Sequence, residues 1–465
     1  MIKVESRKNQ RIAVLGMGLS GMASAKALEN SGANVTVWDD NSTQREKAER
    51  AGFKISNPEF IDFSSQDALL IAPGIPLLVN PHPAVSAARA ADKPITSDIE
   101  LLIENCGRAR LIGITGTNGK STTTELTAHI LAEAGLKHQA GGNLGLPALG
   151  FKHPCDQETL VLELSSFQLD ITENAAFDIA ILTNITPDHL DRHGTMDAYI
   201  SAKRRIFLRP RVRGSSVAII SIDDPHSAEI HKKLERNNDW KVFPVSTKGK
   251  LINGVFVKNG ILFDACSGMA RRICDLNPIS VLQGEHNQQN AACAYAAAMH
   301  AGVSEKSIVR GLQNFKGLPH RMERVGKINN IELINDSKAT NVQAANIALN
   351  CSNDVFWIAG GRGKGEDFSP LAAHAKKIRA AFLIGEAAHD IAKILPETVP
   401  VTISNTLEKA FEHAIEAALR FSNAATILLS PACTAFDQFE NFSERGNIFR
   451  AIAEKIKSGA YNERI

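Results

Sequence analysis

Short apolar runs that alternate with helical stretches constrain the fold of this chain more than any other feature. "RIAVLG", "ETLVLELSS" and "ATILLSPA" are three such runs, and each leads through small or polar residues into a helical pattern. Runs of Val, Ile and Leu without polar alternation suit parallel strands that are buried on both faces. The alternation therefore predicts an α/β protein with doubly wound sheets, whose ligands bind at the carboxyl ends of the strands.

Length and two connecting segments predict three domains. A chain of 465 residues allows three domains at ~150 residues each, and "ADKPITSD" and "FKGLPHR" are typical of connections. We predict a Rossmann-like domain at 1–97, a central P-loop-type ATPase domain with a parallel sheet at 98–317, and a C-terminal doubly wound, Rossmann-like domain at 318–465. Glycine-punctuated runs between Lys241 and Ile279 predict a β insertion in the central domain.

Charge, cysteine usage and the N-terminal sequence exclude several classes of protein. The formal net charge is +2 and no block of Lys and Arg occurs, so we expect no nucleic-acid partner. The seven cysteines form no C-x-x-C pair, which suits a reducing compartment. "MIKVESRKNQ" lacks the apolar segment of a signal peptide, and no apolar run approaches the ~20 residues of a membrane span. We expect a soluble, cytoplasmic monomer that acts on small molecules.

The first glycine loop, "GMGLSG", predicts an anion site. Gly16, Gly18 and Gly21 follow a strand and open a helix, and Asp39 ends the next strand about 20 residues later. A helix N-terminus behind glycines binds any phosphate through its free N–H groups. The loop therefore fits NAD or a sugar nucleotide, and it also fits a tight turn that needs glycine for packing alone.

The second glycine loop, "GITGTNGKST", departs from the usual phosphate-loop formula. G-x-x-x-x-G-K-[ST] would place its first glycine at the position of Ile114. Gly116 and Gly119 still allow close backbone approach, Lys120 can reach terminal phosphates, and Ser121 can hold a metal ion. A G-K-S-T string also opens helices by chance, but the apolar strand in front of it favours a nucleotide site.

Polar residues at the ends of two further strands are candidate metal ligands. Glu163 ends the strand in "TLVLELSS", where a carboxylate suits Mg²⁺, which prefers hard oxygen ligands. The string "NITPDHLDRHG" follows another strand and supplies four candidates: Asp188, His189, Asp191 and His193. A single loop histidine is more often solvated than a metal ligand, so both interpretations of His189 stay open.

Two helical motifs are ambiguous from the residues alone. In "SAKRRIF", Lys203 stands beside Arg204 and Arg205, and the spacing favours a solvated basic face. In "GEHNQQNAAC", His286, Asn287 and Asn290 share one face of a first helical turn, where amides can bind an adenine or a ribose. Capping of this helix by Asn287 explains the pattern equally well.

Together these strings resemble the Mur ligases of bacterial cell-wall synthesis over essentially the whole chain. The shortened loop G-T-x-G-K-[ST] of that family corresponds to Gly116–Ser121. Within the family, "GLPHRME", "NDSKATN" and "SPACTAFDQF" are similar to the member that adds D-glutamate to UDP-N-acetylmuramoyl-L-alanine. The resemblance implies an ATP-dependent amide ligase in peptidoglycan synthesis, and hence a part in cell shape, division and the cell cycle.

The resemblance also implies roles for individual residues. It assigns ATP to Gly116, Thr117, Asn118, Gly119, Lys120, Ser121, Thr122, Asn287, Asn290, Arg321 and Asp336. It assigns the UDP-substrate to Leu19, Ser20, Asp39, Asp40, Gly74, Asn143 and His189. It assigns D-glutamate to Lys338, Thr340, Lys364, Ala435, Phe436 and Phe442. It assigns magnesium, at two sites, to Ser121, Glu163, His189 and Lys203 as a carbamate, with Lys120, Glu163, His189 and Lys203 as the catalytic set. The three domains would accordingly bind the UDP-substrate, ATP and the amino acid.

Two positions depart from the family pattern. Ala72 stands where the family often has a serine before Pro-Gly, and Ala435 stands where a serine contacts D-glutamate, beside Thr434. Backbone N–H groups would have to replace those hydroxyl contacts.

Other functions fit parts of the sequence. A Mur ligase for a different amino acid shares the phosphate loop and differs only in the C-terminal strings. An NAD-dependent oxidoreductase would use the Gly16 loop and leave Glu163 without a role. A mechanical P-loop ATPase or a regulatory nucleotide-binding module would explain the second loop alone.

Overall fold

The computed structural model describes residues 1–77, 80–363 and 365–457. Two compact units emerge from the packing, Met1–Phe315 and Lys316–Ile465. The first unit contains two large sheets and the second unit contains one. The α/β fold class predicted from the sequence is confirmed, whereas the boundary near residue 97 stays a prediction.

The first sheet of the first unit is parallel throughout. Its elements and their helices are β1 (Arg11–Leu15), α1 (Leu19–Asn30), β2 (Asn34–Trp38), α2 (Ser42–Arg50), β3 (Lys54–Ile55), β4 (Ala68–Ile71), α3 (Pro83–Ala90), β5 (Ile95–Thr96) and α4 (Asp98–Asn105). The strand order β3-β2-β1-β4-β5 places β1 at the centre. The loop after β1 is the Gly16 loop, so it opens at the middle of the sheet's carboxyl edge.

The second sheet extends from β7 to β16. Its region contains β6 (Arg110–Thr115), α5 (Lys120–Glu133), β7 (His138–Gly142), β8 (Thr159–Glu163), α6 (Ser166–Asp170), β9 (Ala176–Phe177), β10 (Ile179–Leu182), α7 (Leu190–His193), α8 (Met196–Arg204), β11 (Arg209–Pro210), β12 (Val217–Ser221), α9 (Pro225–Glu235), β13 (Lys241–Ser246), β14 (Val255–Lys258), β15 (Ile261–Asp264), β16 (Arg271–Asp275), α10 (Glu285–His300) and α11 (Glu305–Asn314). The order is β16-β15-β14-β13-β12-β10-β6-β8-β7, while β9 and β11 pair separately. Along this sheet order, the strands from β14 to β7 are all parallel to their neighbours. The insertion predicted at 241–279 contains β13 to β16 and adds antiparallel strands at the edge.

The second unit is built on one six-stranded sheet. Its elements are β17 (Glu323–Ile328), β18 (Ile331–Asn335), α12 (Val342–Asn350), β19 (Val355–Gly360), β20 (Ile378–Ile384), α13 (Ala388–Ile394), β21 (Val401–Asn405), α14 (Leu407–Leu419), β22 (Ala425–Leu429) and α15 (Phe442–Lys457). The order is β17-β18-β22-β19-β20-β21, and only the β17–β18 pair is antiparallel. Between β19 and β20 the chain forms a 3-10 helix at Ser369–His374.

One hydrophobic cluster joins both sheets of the first unit. It includes Val14 and Leu70 from the first sheet and Leu111, Leu162 and Ala218 from the second. Within the described ranges, no helix has both the length and the apolar surface needed to cross a bilayer.

The packing of α1 on the Gly16 loop predicts a sharp difference between two glycines. A Cβ on Gly21 would lie 1.7 Å from the carbonyl oxygen of Gly16, whereas a Cβ on Gly18 would meet no atom within 4 Å. We expect Gly21→Ala to lower the free energy of unfolding by about 2 kcal/mol, because backbone must move to admit the methyl group. Gly18→Ala is the matched control. Equal denaturant midpoints for the two variants would contradict this packing.

Candidate functional site

The second glycine loop joins β6 to α5, and β6 lies between β10 and β8 in the nine-stranded sheet. Gly119 is the N-cap of α5 with φ +84°, and a Cβ there would lie 2.1 Å from Asn290 Oδ1. Glycine is therefore required by conformation and by space. Ser121 is buried and Thr122 is half-buried in the first turn of α5. Because this turn is the N-terminus of the helix, its N–H groups point into the loop.

Residues that the sequence analysis missed hold this loop in place. The Thr117 hydroxyl lies 3.0 Å from the hydroxyl of the buried Tyr199 and donates to Thr186 O, also at 3.0 Å. Asn118 N–H donates to Asn184 Oδ1 at 2.9 Å. The polar string "TNIT" directly after β10 could have indicated the contacts of Asn184 and Thr186. No residue near Tyr199 in the sequence indicates its contact with Thr117.

Two lysines donate to one carbonyl oxygen of the loop. Lys120 Nζ lies 2.9 Å from Gly116 O and 2.7 Å from Thr117 O, and Lys203 Nζ lies 2.6 Å from the same Gly116 O. Lys203 is 1% exposed, so the solvated face favoured by its spacing is wrong for this residue, although Arg204 is exposed. Burial, and next the charge of Lys120, hold the pKa of Lys203 well below its usual range.

Glu163 is a buried carboxylate at the end of β8 with one oxygen unsatisfied. Its Oε1 accepts from Asn143 Nδ2 at 2.8 Å. Its Oε2 is buried and meets no hydrogen-bond donor among the described residues. A buried anionic oxygen without a donor is costly, and a divalent cation would satisfy it. This carboxylate therefore fits a hard metal ion.

The loop after β10 places His189 at the same edge of the sheet. His189 adopts φ +52°, its Nε2 lies 3.5 Å from Asp188 Oδ2, and its ring centroid lies 4.9 Å from that of Phe167. His193 is buried, with Nε2 3.0 Å from Ser166 Oγ. The side chain of Asp191 lies outside the described residues. In the described part of the chain, no three His, Cys, Asp or Glu side chains cluster as a metal site.

Asn290 contacts the second glycine loop at Gly119, and Asn287 lies one turn earlier on α10. The N-cap of this helix is Gly284, and Asn287 Nδ2 donates to Gln283 O at 3.2 Å. The capping alternative for Asn287 is therefore wrong. His286, on the same turn, has a pKa lowered by burial.

The residues predicted for the UDP-substrate gather at the carboxyl ends of β1 and β2. Met17 N–H donates to Asp39 Oδ2 at 2.6 Å, so this carboxylate shapes the Gly16 loop. Ser20 Oγ donates to the buried Asp98 at 2.6 Å, and Leu19 is 82% exposed at the start of α1. Asp40 accepts from Trp38 Nε1 at 3.0 Å.

The loop after β4 completes that edge. Gly74 lies in this loop, and a Cβ on Gly74 would meet no atom within 4 Å. Ala72 packs against Gly16, because a Cβ on Gly16 would lie 2.7 Å from the Ala72 methyl group. Arg192, in the short helix α7 that follows His189, donates to the carbonyl oxygen of Ile75. The predicted substrate loop and the His189 loop are thus bonded to each other, and Asn143 reaches the same region through Glu163.

In the second unit, the loops after β18 and β22 hold the residues predicted for D-glutamate. Lys338 Nζ lies 3.9 Å from the centre of the Phe442 ring, and Thr340 N–H donates to Lys338 O at 2.8 Å. Ala435 is buried, whereas Phe436 is 63% exposed. Lys364 lies outside the described residues.

Asp336 is a buried carboxyl group at the same edge of that sheet. It accepts from Met322 N–H at 3.1 Å and from Ser430 Oγ at 2.9 Å. Burial raises the pKa of Asp336 to about 7, while the charge of Arg321 opposes the rise. The nucleotide roles assigned to Arg321 and Asp336 stay predictions.

Two family descriptions match most of the chain. "Mur ligase middle domain" matches residues 114–298, and "Mur ligase, glutamate ligase domain" matches residues 320–433. A third, "Acetohydroxy acid isomeroreductase, NADPH-binding domain", matches residues 7–76, which is the strand, glycine loop and helix unit of the first sheet.

Curated relatives align along nearly their full lengths. Proteins named UDP-N-acetylmuramoylalanine–D-glutamate ligase are 43% identical in Paramagnetospirillum magneticum, with 99% of each chain covered, and 44% identical in Rhizobium johnstonii, with 97% of this chain and 96% of the relative covered. The relative in Caulobacter vibrioides is 42% identical, with 99% and 98% covered.

Solved structures at lower identity share the fold. A pseudomurein peptide ligase type C from Methanothermus fervidus has a TM-score of 0.58 at 20% identity, covering 96% of this chain and 100% of that chain. UDP-N-acetylmuramate-alanine ligase from Thermotoga maritima has a TM-score of 0.57 at 16% identity, covering 97% and 100%.

The contact between Tyr199 and the phosphate loop predicts a selective loss of nucleotide affinity. Tyr199→Phe removes the hydroxyl that meets Thr117, so we expect ATP to bind several-fold more weakly, in line with a hydrogen bond of about 1 kcal/mol. Tyr295→Phe is the control, because Tyr295 donates to Asp264 at 2.9 Å, away from the loop. Calorimetric titration with ATP should separate the two variants, and equal affinities would contradict the positioning role of Tyr199.

Proposed function

The chain belongs to the Mur ligase family, and we propose that it joins D-glutamate to UDP-N-acetylmuramoyl-L-alanine in an ATP-dependent step of peptidoglycan synthesis. Curated relatives of that name, 42–44% identical over nearly the whole chain, support this activity. The observation that carries it is the convergence of Lys120, Lys203 and the unsatisfied Glu163 on the loop and strand end where a transferred phosphate would be held.

The chemistry explains why ATP is consumed. A carboxylate does not form an amide directly, because its oxide is too poor a leaving group. Transfer of the γ-phosphoryl group to the L-alanine carboxylate gives an acyl phosphate, whose phosphate leaves when the neutral amine of D-glutamate attacks the carbonyl carbon. Charge neutralisation and positioning supply most of the rate of phosphoryl transfer.

We assign the phosphates of ATP to the Gly116 loop. The N–H groups at the start of α5 and the ammonium group of Lys120 would neutralise the transferred phosphoryl group. Asn290 packs against the loop, and Asn287 lies one turn earlier on the same helix, which supports their role at the nucleoside. Ser121, Glu163 and His189 are the residues that would hold Mg²⁺. When bound, Mg²⁺ supplies Lewis-acid stabilisation of the phosphate charge.

We propose that Lys203 is carbamylated in the active protein. An unmodified lysine has no lone pair for a metal ion when charged, and a second ammonium group beside Lys120 is electrostatically unfavourable. Burial lowers the pKa of Lys203, which favours the neutral amine, the form that reacts with CO₂. The carbamate would replace a buried cation by an anionic oxygen ligand.

We propose the remaining assignments from the resemblance to the family. Leu19, Ser20, Asp39, Asp40, Gly74 and Asn143 would bind the UDP-substrate, and Lys338, Thr340, Lys364, Ala435, Phe436 and Phe442 would bind D-glutamate. We further propose that the protein acts as a monomer in the cytoplasm. Its seven cysteines are all free, which suits a reducing compartment.

Phosphate release with ATP, Mg²⁺ and UDP-N-acetylmuramoyl-L-alanine tests the proposed function. We expect turnover with D-glutamate and none with L-alanine, a diamino acid or L-glutamate. Turnover with one of those instead would assign the chain to another Mur ligase activity, and a change in NADH fluorescence on binding would favour an oxidoreductase.

Lys120→Ala should reduce turnover by ~10³-fold, since it removes a charge from phosphoryl transfer, while UDP-substrate binding persists.

The carbamate assignment predicts a rescue experiment. Lys203→Ala should lose activity by ~100-fold, because a ligand position is lost, and added formate or acetate should restore part of it. In ¹³C NMR after equilibration with ¹³C-bicarbonate, the wild-type protein should show a carbamate signal that Lys203→Arg lacks. A fully active Lys203→Ala would refute the carbamate.

A further inference from the structure

Arg445 is a buried arginine in the first turn of α15, with a side chain that is 0% exposed. Its Nε lies 3.0 Å from Ser337 Oγ, and Nη2 lies 2.9 Å from Ser337 O and 3.1 Å from Cys433 O. Its Nη1 lies 3.3 Å from Thr434 O and 3.5 Å from Gly360 O. The five N–H groups of the guanidinium thus meet five oxygens, four of them backbone carbonyls.

These contacts join the carboxyl ends of three adjacent strands. Ser337 follows β18, Gly360 ends β19, and Cys433 and Thr434 follow β22. The sheet order places β22 between β18 and β19. The residues directly after these contacts, Lys338 and Ala435, are among those assigned to D-glutamate.

The loop after β22 has a conformation that its own residues disfavour. Ala432 adopts φ +59°, a left-handed value that is costly for a residue with a Cβ. A Cβ on Gly361 would lie 2.2 Å from Thr434 O and 3.2 Å from Arg445 Nη1, so the two loops touch through backbone. Two backbone hydrogen bonds between Arg362 and Thr434, each 3.0 Å long, hold this arrangement together with those from Arg445 to Cys433 O and Thr434 O.

The same contacts orient one backbone N–H group. The Thr434 carbonyl accepts from Arg362 N–H at 3.0 Å and from Arg445 Nη1 at 3.3 Å, and in a planar trans peptide the following N–H points the opposite way. The N–H of Ala435 therefore faces away from the guanidinium, and it meets no acceptor within the described part of the chain. Ala435 lacks the hydroxyl of a serine, so this N–H is the donor that the position offers to a carboxylate.

Arg445 has no carboxylate partner among the residues described. Burial lowers its pKa to about 10, which still leaves it charged at neutral pH. Filling the space with an apolar side chain would avoid the desolvation of a cation. An apolar side chain would, however, lack the five N–H donors of Arg445, and these donors are what binds the three loops.

We propose that Arg445 is a positioning residue that fixes the three loops of the D-glutamate site and, together with the Arg362–Thr434 backbone bridge, the N–H of Ala435, without touching the amino acid. This inference rests on the proposed function.

Steady-state kinetics of Arg445→Lys and Arg445→Ala test it. We expect the KM for D-glutamate to rise by about tenfold or more, since donors to three loops are lost, while the KM values for ATP and the UDP-substrate change little. Added guanidinium ion should lower the KM for D-glutamate in Arg445→Ala. Arg379→Ala is the matched control: Arg379 bonds Asp354 at 2.6 Å, at the opposite end of the same sheet.

Unchanged KM for D-glutamate in both variants would overturn the inference, as would an equal rise for all three substrates, which marks a merely structural role. If neither variant folds, Ser337→Ala decides, because it removes one of the five acceptors: an unchanged KM for D-glutamate would then overturn the inference. Wild-type protein without D-glutamate-dependent turnover would overturn the proposed function and this inference together.

Discussion

The register of three parallel strands determines the geometry of the proposed nucleotide site. β8, β6 and β10 are neighbours, with Glu163 opposite Ile114 and Leu182 opposite Thr115. Because these strands end together, the Glu163 carboxylate, the Gly116 loop and the polar residues after β10 lie at one edge. A shift of one strand by a single residue would turn Glu163 to the other face of the sheet and remove the buried oxygen from the loop.

Much of this arrangement is encoded locally and could be predicted. Apolar runs such as "RLIGIT" indicate buried strands, and a glycine pair before Lys120 indicates a helix N-terminus open to phosphate. Glu163 was recognisable because a carboxylate at the end of an apolar strand needs a partner. These signals lie within a few residues of the feature they predict, so no knowledge of distant contacts was needed.

Features that depend on distant contacts could not be read from spacing. Lys203 looks like part of a solvated basic face, yet its ammonium group bonds to a carbonyl 87 positions earlier in the chain. Tyr199 and Arg445 appear as ordinary members of helices, because their partners come from other strands of the fold. The family resemblance supplied a role for Lys203, but it supplied no reason for Arg445, which the structure provides through its carbonyl contacts.

The hydrophobic cluster shared by the first two sheets has a thermodynamic consequence. Val14 and Leu162 belong to the same core, although they come from different sheets. The two sheets should therefore melt in one cooperative transition rather than in sequence. A substitution that loosens the sheet of the Gly16 loop would therefore also lower the stability of the sheet that carries the Gly116 loop.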